Sequence, residues 1–322
     1  KLLTKGHFNL FLGAGASACA GLPMMADLTA KVLSKLPIAD NPVVHDVWNR
    51  IEGMPASNVE SLLSQLHFMA AVAETNPEML AAPKQELVNA IHAVQEAIAE
   101  EFLVDVDIDA HRRLVNNVCR LNATRPCTIA GSNYDLVIEQ ACEAEGIWCL
   151  DGFVGTAKRR WAVDTLDLTV GSIDAKNRFR PRQKSVNYLK VHGSISWTAE
   201  GDDIVAYANP PANAVARRMI FPTPRKIAES FGEPYSGLLR QFTKANDIGN
   251  GLLITVGFSY RDDHIVEPLR QFLSKGDHTL VAFVREPAGA LTDLLAFRNV
   301  ICIAEDASWI DGNRVDESSS LW

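Results

Sequence analysis

The sequence predicts an α/β protein: a parallel β-sheet with helices on both faces, together with a mostly helical inserted small domain. Two patterns indicate this class. From about residue 235 to residue 304, short apolar runs alternate with stretches of helical periodicity, as in sheets whose parallel strands are joined by helices. Between about residues 25 and 122, helical periodicity alone is present. We therefore assign residues 1–24 and 123–310 to the sheet-containing domain, 25–122 to a helical insertion and 311–322 to a polar tail.

The elements of the N-terminal part follow from local signals. The run from Phe8 to Leu12 is a predicted strand, because it is short and apolar and stops at the glycine-rich turn Gly13-Ala14-Gly15. In the insertion, Asn58 is predicted to cap one helix, Pro83 to be the first residue of another, and Asp109 to cap a third. The whole insertion therefore separates the first strand from the next one.

Strand signals return after the insertion. Apolar runs predict strands at 127–130 and 186–191, a hairpin from Ile195 to Tyr207 with its turn at Gly201-Asp202, and a short strand from Arg218 to Phe221. Residues 150–184 are expected to be irregular and basic. The regular alternation that follows is a helix at 235–246, a strand at 252–256, a helix at 263–274, a strand at 279–284, a helix at 288–296 and a strand at 300–304.

Composition and charge narrow the class of protein. The chain has 322 residues, 47% of them apolar and 22% charged, as expected for a globular protein rather than a disordered one. Its net charge of −8 argues against direct nucleic-acid binding, which needs a basic surplus. Its longest nearly uncharged apolar stretches, such as 251–260, fall short of the ~20 residues of a membrane-spanning helix. None of the six cysteines stands in a C-x-x-C pair, and no signal-peptide pattern precedes the first strand, so we expect a cytoplasmic protein without a zinc site.

The glycine-rich turn after the first strand is a candidate phosphate-binding element. Residues 13–18 read Gly-Ala-Gly-Ala-Ser-Ala, a G-x-G-x-x-A pattern in which two glycines let the backbone approach a pyrophosphate. The pattern also fits an ordinary tight turn. Dehydrogenases with this pattern need a second strand about twenty residues further on, ending in an acidic residue. That part of the chain is predicted to be helical, which disfavours a dehydrogenase.

Three further turns place polar side chains where predicted strands end. They contain Asn133 and Asp135 after the strand at 127–130, His192 with Gly193 after the strand at 186–191, and Gly257-Phe258-Ser259 after the strand at 252–256, ahead of Asp262 and Asp263. Because ligands bind at the carboxyl ends of the strands in an open parallel sheet, these residues are candidates for one site. Structural interpretations stand beside this one: Asp135 can cap the next helix, and His192 can be a buried structural histidine.

Five motifs occur in a fixed order along the chain. They are Gly13-Ala14-Gly15-Ala16-Ser17, Gly21-Leu22-Pro23, Asn133-Tyr134-Asp135, His192-Gly193 and Gly257-Phe258-Ser259. As a set they resemble the sirtuin family, over about residues 6 to 305. The chain departs from protein-deacylating sirtuins, which have Asp-Phe-Arg in place of Met24-Met25-Ala26, Gln-Asn-Ile-Asp in place of Ser132-Asn133-Tyr134-Asp135, and two zinc-binding C-x-x-C pairs. With its helical insertion, its Asn-Tyr-Asp form and its Gly-Phe-Ser-x-x-Asp segment, the chain resembles instead the sirtuin-like domains of bacterial anti-phage systems, a group similar to NAD hydrolases.

The resemblance implies a Rossmann-like, sirtuin-type fold for the sheet-containing domain, with NAD lying across the carboxyl edge of the sheet. Gly13, Ala14 and Gly15 would face the pyrophosphate, Ser17 would lie near a phosphate or a ribose, and Gly257, Phe258 and Ser259 would approach the adenosine half. Asn133 would hold the nicotinamide-side ribose or an attacking water, Asp135 would order its turn and favour the developing positive charge, and His192 would be the general base.

The activity that the resemblance implies is NAD glycohydrolysis to nicotinamide and ADP-ribose, by the effector of an anti-phage abortive-infection system. A homo-oligomer or a sensor partner would regulate it, with the helical insertion and the basic segment 176–184 as candidate contacts. The alternatives are an NAD-dependent protein deacylase and a non-catalytic sensor that binds NAD or ADP-ribose. Cyclisation of the ADP-ribose product differs from hydrolysis only in the acceptor and also stays open. No metal is expected.

Overall fold

A computed structural model describes residues 7–54, 57–79, 82–122, 126–201, 203–208, 217–219, 232–247 and 251–315. The strands within these residues, in chain order, are β1 (Asn9–Leu12), β2 (Cys127–Gly131), β3 (Trp148–Leu150), β4 (Phe153–Gly155), β5 (Lys158–Trp161), β6 (Gly171–Ile173), β7 (Phe179–Pro181), β8 (Ser185–Lys190), β9 (Gly193–Glu200), β10 (Asp203–Tyr207), β11 (Arg217–Met219), β12 (Leu252–Val256), β13 (Thr279–Phe283), β14 (Val300–Ile303), β15 (Ser308–Ile310) and β16 (Asn313–Val315). The helices are α1 (Ala14–Ser17), α2 (Met25–Lys35), α3 (Pro42–Ile51), α4 (Val59–Thr75), α5 (Lys84–Phe102), α6 (Asp109–Leu121), α7 (Val137–Ala144), α8 (Tyr235–Asn246), α9 (Asp263–Ser274) and α10 (Leu291–Leu294).

The main sheet has nine strands in the order β16-β15-β14-β13-β12-β1-β2-β8-β3. The pairs from β14 to β3 are parallel, and the two pairs at the β16 end are antiparallel. In the centre, Leu10 of β1 lies between Ile254 of β12 and Ile129 of β2. The predicted parallel-dominated sheet is confirmed, and strands from before and after the insertion are neighbours in it.

Helices cover both faces of the main sheet. On one face, Phe11 of β1 packs with Phe242 of α8, their ring centroids 5.5 Å apart. On the other face, Leu10 of β1 belongs to a core that includes Val115 of α6 and Ile138 of α7. Adjacent residues of β1 contribute to opposite cores because side chains alternate along a strand. Burial on both faces therefore explains why β1 has three consecutive apolar residues, Leu10 to Leu12.

Helices α2 to α5 form a separate core. Val32 of α2, Leu62 of α4 and Val94 of α5 are fully buried in it. Helix α6 also lies within the segment 25–122, but its apolar side, which includes Val115, packs against the main sheet. Of the helices in the segment 25–122, α2 to α5 thus share one core, whereas α6 shares the core of the main sheet.

The helix ends agree closely with the local signals. Asn58 forms a capping box with Ser61: its side chain accepts from the Ser61 backbone N–H at 2.9 Å, and the Ser61 hydroxyl accepts from the Asn58 N–H at 2.8 Å. The cap at Asn58 is confirmed. Pro83 lies one residue before α5 rather than in its first position, and Asp109 is the first residue of α6 rather than its cap. The N-cap residue is Ile108, and the Asp107 carboxylate accepts from the Asp109 N–H at 2.9 Å.

Asn58→Ala is expected to lower the free energy of unfolding by about 1 kcal/mol, because it removes the side-chain acceptor of an N-cap. Asn41→Ala is the matched control, since Asn41 is the N-cap of α3 but its side chain makes no capping hydrogen bond. Urea unfolding of both variants and the parent chain measures the difference. Equal stabilities of the two variants would contradict the role of the capping box.

Residues 150–184 are not irregular, contrary to the prediction. They contain β4 and β5, which join an antiparallel sheet in the order β11-β9-β10-β5-β4, and the hairpin of β6 and β7. These strands are three or four residues long and carry exposed charges such as Lys158. They therefore lack the apolar alternation on which strand prediction depends.

Two other predicted segments have definite outcomes. The hairpin predicted from Ile195 to Tyr207 is confirmed as β9 and β10. The strand expected to end at Phe221 begins at Arg217, but Phe221 itself lies outside the described residues. The segment 311–322 is predicted to be a polar tail, but its residues Asn313–Val315 form β16 of the main sheet. The pairing of β16 with β15 uses backbone hydrogen bonds, which need no apolar side chains. Residues 316–322 lie outside the described residues. Among the helices in the described ranges, none has the length and apolar character needed to cross a membrane.

Candidate functional site

The four turns singled out in the sequence lie side by side at one edge of the main sheet. They follow β1, β2, β8 and β12. These strands are parallel neighbours in the order β12-β1-β2-β8, so their carboxyl ends meet at the same edge. Hydrogen bonds join adjacent turns there: Ser132 N–H donates to Leu12 O at 3.1 Å, and Val191 N–H donates to Gly131 O at 3.0 Å. Asn133, His192 and both glycine turns therefore lie in one region at this edge of the sheet.

The glycines after β1 and β12 pack directly against each other. The Gly15 N–H donates to Gly257 O at 3.1 Å. A Cβ on Gly13 would lie 2.4 Å from Gly257 O, and a Cβ on Gly257 would lie 2.5 Å from backbone atoms of Gly15 and Ala16. No side chain fits at such distances. The glycines therefore allow two turns to approach each other, a role that the sequence interpretation in terms of a pyrophosphate did not include.

Asn133 is fixed on the first glycine turn. Its Nδ2 donates to Gly13 O at 3.0 Å and to Ser17 Oγ at 2.8 Å. Both amide hydrogens are thus engaged, and the orientation of the amide is set because a carbonyl can only accept. The hydrogen bonds among the described residues leave Asn133 Oδ1 unused, so this oxygen is available as an acceptor. Ser17 is buried, and its contact in the structure is with Asn133.

His111, from α6, supports the same turn from below. Its Nε2 lies 2.8 Å from Ala16 O, so Nε2 carries the proton and donates. Its Nδ1 is buried without a hydrogen-bond partner among the described residues. Nothing in the sequence pattern singled out this histidine.

Asp135 is buried beneath its turn. It is 3% exposed, and its Oδ1 accepts from the Val137 N–H at 3.1 Å, at the start of α7. The alternative, that Asp135 caps the next helix, is met only in part: Leu136 is the N-cap residue, and Asp135, one residue before it, accepts from the first helical N–H. Asp135 therefore helps to order the turn that carries Asn133, and its carboxylate is buried rather than exposed at the edge of the sheet.

Lys190 is the most informative residue that the sequence interpretation missed. It is 1% exposed, and its Nζ donates to Tyr134 O at 3.3 Å, to Asp135 O, and to Glu139 Oε1 at 2.8 Å. Burial raises the pKa of Glu139, and the Lys190 ammonium acts in the opposite direction. An ammonium group thus holds two successive carbonyls of the Asn133 turn. In the sequence it is one polar residue in a predicted strand, with no motif around it.

His192 faces a second histidine. It is 3% exposed, and its Nε2 lies 2.9 Å from Nε2 of His264, in the first turn of α9. In such a hydrogen bond one Nε2 carries the proton and the other accepts it. Asp262, the residue before α9, has a carboxylate oxygen within 4.8 Å of one ring nitrogen of each histidine. The sequence interpretation noted Asp262 but missed His264. Its position seven residues after Gly257, in the same connection from strand to helix, is the signal that could have identified it.

The segment after β12 divides its side chains between core and surface. The Phe258 ring packs between Phe11 and Tyr260, at centroid distances of 4.7 Å to each. Ser259 is exposed. Of the three residues expected to approach an adenosine, Gly257 therefore packs on the first glycine turn, Phe258 places its ring in the core, and Ser259 alone presents a side chain to solvent.

The helical insertion contacts the site through Tyr134. Its ring lies in the insertion core with Phe102, and its hydroxyl donates to Glu60 Oε1 of α4 at 3.2 Å. Burial, the Glu60 carboxylate and Asp262 raise the pKa of Tyr134 well above its usual value, so the phenol stays neutral. Tyr134 thus joins the insertion to a turn whose other residues belong to the sheet edge.

The thiols of the chain differ sharply in access. Cys19, just beyond α1, is exposed, whereas burial raises the pKa of Cys119 and of Cys302 to about 11. Near neutral pH, iodoacetamide is therefore expected to alkylate Cys19 in the native chain, and the other two only after unfolding, because the thiolate is the nucleophile. Peptide mass spectrometry before and after urea measures this. Native labelling of Cys119 at the rate of Cys19 would contradict it.

Comparison with known proteins identifies a family. The model of the SIR2-like domain matches residues 128–303, which is more than half of the chain. Domains of this kind bind NAD. The match includes Asn133, His192 and the segment 257–259, and the glycine turn at 13–18 lies before it. A search of curated proteins finds no match.

Proposed function

The chain belongs to the SIR2-like domain family, and from this premise we propose that it is an NAD glycohydrolase, which cleaves NAD to nicotinamide and ADP-ribose. One observation carries the proposal. At the edge where β1, β2 and β8 end, the Asn133 amide is locked on the Gly13 turn with Oδ1 available, and the next strand ends in a buried histidine that is hydrogen-bonded to a second histidine. This is an arrangement for orienting a ribose or a water and for accepting a proton.

We propose that NAD lies across this edge. Because the family binds NAD, we propose that the Gly13-Ala14-Gly15 turn contacts the diphosphate and that the exposed Ser259 contacts the adenosine half. Ser17 is buried, and its hydroxyl accepts a hydrogen bond from Asn133, so we propose that it positions Asn133 rather than contacting NAD. Asn133 Oδ1 then accepts a hydrogen bond from a hydroxyl of the nicotinamide-side ribose or from the attacking water.

The reaction needs water, one base and a stabilised cationic sugar. The bond between ribose C1′ and the nicotinamide nitrogen breaks, and its electron pair goes to nicotinamide. Water then forms the new bond to C1′ and loses a proton, for which His192 is the acceptor. The hydrogen bond to His264 makes this possible: when His192 donates from Nε2, its Nδ1 is the basic nitrogen. In this arrangement His264 accepts from Nε2 of His192, holds that tautomer and stabilises the imidazolium that forms.

The biological setting belongs to the same proposal. We propose an effector of an anti-phage abortive-infection system in the cytoplasm, regulated by self-assembly or by a sensor partner. The resemblance to sirtuin-like domains of such systems supports it, and so does the separate helical core of α2 to α5. The contact from Glu60 to Tyr134 gives that core a route to the turn of Asn133.

The experiment is nicotinamide release from NAD by the purified chain, without any acyl peptide and over a range of protein concentrations. Asn133→Ala is expected to lower the rate about 100-fold, as for the loss of one oriented polar group at a reacting centre. Asn89→Ala, on the exposed side of α5, is the matched control and should release nicotinamide at the parent rate. A rate per chain that rises with concentration would support assembly.

The other outcomes separate the competing functions. Release that needs an acyl-lysine peptide would establish a deacylase and overturn the proposal. Binding of NAD with no release at any concentration would favour a sensor. A product lighter by one water than ADP-ribose, seen by mass spectrometry, would show cyclisation in place of hydrolysis.

A further inference from the structure

Three side chains with metal-binding atoms converge beside the proposed reaction centre. His192 follows β8, and Asp262 and His264 belong to the start of α9. One nitrogen or oxygen of each lies within 4.8 Å of the others, and the two histidine Nε2 atoms are 2.9 Å apart. His192 is buried, and the other two are partly exposed, so the cluster has a protein side and a solvent side.

The position of Asp262 strengthens the case for a site. It is the N-cap residue of α9, where an aspartate ordinarily accepts from the free N–H groups of the first turn. Here the side chain makes no capping hydrogen bond, and the backbone carbonyl of Asp262 accepts from Ile265 and Val266 at 2.9 Å each. The helix start therefore fixes the backbone while the carboxylate lies close to the two imidazoles.

The donor set has a definite preference. Two neutral imidazole nitrogens and one carboxylate oxygen suit Zn²⁺ and related divalent transition metals, with water in the remaining position. On a tetrahedral ion with bonds of about 2.0–2.1 Å, two nitrogens lie about 3.4 Å apart. The two rings then need to separate by only about half an ångström. The proton that one Nε2 now holds moves to Nδ1 of the same ring, so both rings stay neutral.

We propose that His192, Asp262 and His264 bind one divalent transition-metal ion of the Zn²⁺ type, and that this ion inhibits the chain. The binding rests on the three residues alone. The inhibition rests on the proposed function, since the ion occupies the nitrogens through which His192 and His264 cooperate. No metal is expected from the sequence because the chain has no C-x-x-C pair. The present ligands are two histidines and an aspartate, which that criterion does not detect.

Calorimetric titration of the purified full chain with ZnCl₂ tests the binding. The parent chain is expected to bind one ion, and His264→Ala and the nearly isosteric Asp262→Asn are expected to bind it more than about 100-fold more weakly. His92→Ala removes a partly exposed histidine of α5 and Cys19→Ser removes the exposed thiol; both should bind as the parent does. Thermal unfolding without zinc shows that each variant is folded.

Each result decides between the two parts of the proposal. Absence of binding by the parent chain, binding retained in both cluster variants, or binding lost in Cys19→Ser would overturn the site. Nicotinamide release that stops on adding ZnCl₂ and returns with a chelator supports inhibition, and release that continues at saturating zinc overturns it. Normal zinc binding by a chain that never cleaves NAD would leave the site standing and remove the proposed function.

Discussion

His192→Ala is expected to lower the rate of NAD cleavage by about 1,000-fold, while the chain still folds and still binds NAD. General-base catalysis by a positioned side chain contributes on the order of 10² to 10⁴ to a rate, and His192 is the histidine at the sheet edge beside Asn133. The loss should fall on turnover rather than on affinity, because the base acts only as water attacks. Nicotinamide release and calorimetric binding of NAD measure the two quantities.

A second buried histidine provides the control for this prediction. His278 is also 3% exposed and packs edge-on against Phe272, with ring centroids 4.7 Å apart. It precedes β13 and therefore lies at the opposite, amino end of the parallel strands. His278→Ala should lower stability and leave turnover per folded chain unchanged. Full turnover by His192→Ala, or an equal loss in His278→Ala, would remove the base assignment.

Gly257→Ala is expected to lower the free energy of unfolding by about 3 kcal/mol and to abolish NAD cleavage. Two costs combine. Gly257 has φ +62°, a left-handed conformation that costs an L side chain about 1–2 kcal/mol. A Cβ there would also lie 2.5 Å from backbone atoms of Gly15 and Ala16, and overpacking of this kind costs about 1–3 kcal/mol. The turns must separate, and Asn133 loses its acceptor in the position that orients it.

Gly276→Ala separates the two costs. Gly276 has φ +73°, but nothing lies within 4 Å of an added Cβ. It should therefore show the conformational cost alone, about 1–2 kcal/mol, and keep its NAD cleavage. Urea unfolding of both variants measures the difference, which is the contribution of the close contact between the turns. Equal destabilisation would mean that the turns adapt to an extra methyl group.

The sequence predicts the sheet well because its signals are local. All residues of Leu252–Val256 but Thr255 are apolar, glycines bound the segment, and the strand has the predicted bounds. The meeting of the four turns also follows from sequence, because parallel strands bring their carboxyl ends to one edge. The residues Asn133 and His192 therefore reach the same region as expected. Their chemical roles stay predictions.

The partners of these residues could not be predicted in the same way. Lys190 lies 55 residues beyond Asp135, and His264 lies 72 residues beyond His192, so only the folded sheet brings each pair together. A buried lysine in a strand has no local pattern, since its stabilisation comes from carbonyls elsewhere in the chain. Short strands such as β5 could not be predicted for a related reason. Backbone hydrogen bonds pair them with their neighbours, and most side chains of β5 are charged, so no apolar pattern marks the strand.

The hydrogen bond between Tyr134 and Glu60 is expected to couple the stability of helices α2 to α5 to the binding of a nucleotide at the site. Tyr134 and Ile195 belong to the core of α2 to α5, yet Tyr134 stands between Asn133 and Asp135 in the turn. If an ordered turn strengthens nucleotide binding, then nucleotide binding must stabilise those helices against opening by the same free energy, because such coupling is reciprocal. Amide hydrogen exchange in α4 and α5 should therefore slow when NAD binds, to the extent that binding holds the turn of Tyr134 in place. These helices would then report on the site without contacting its ligand.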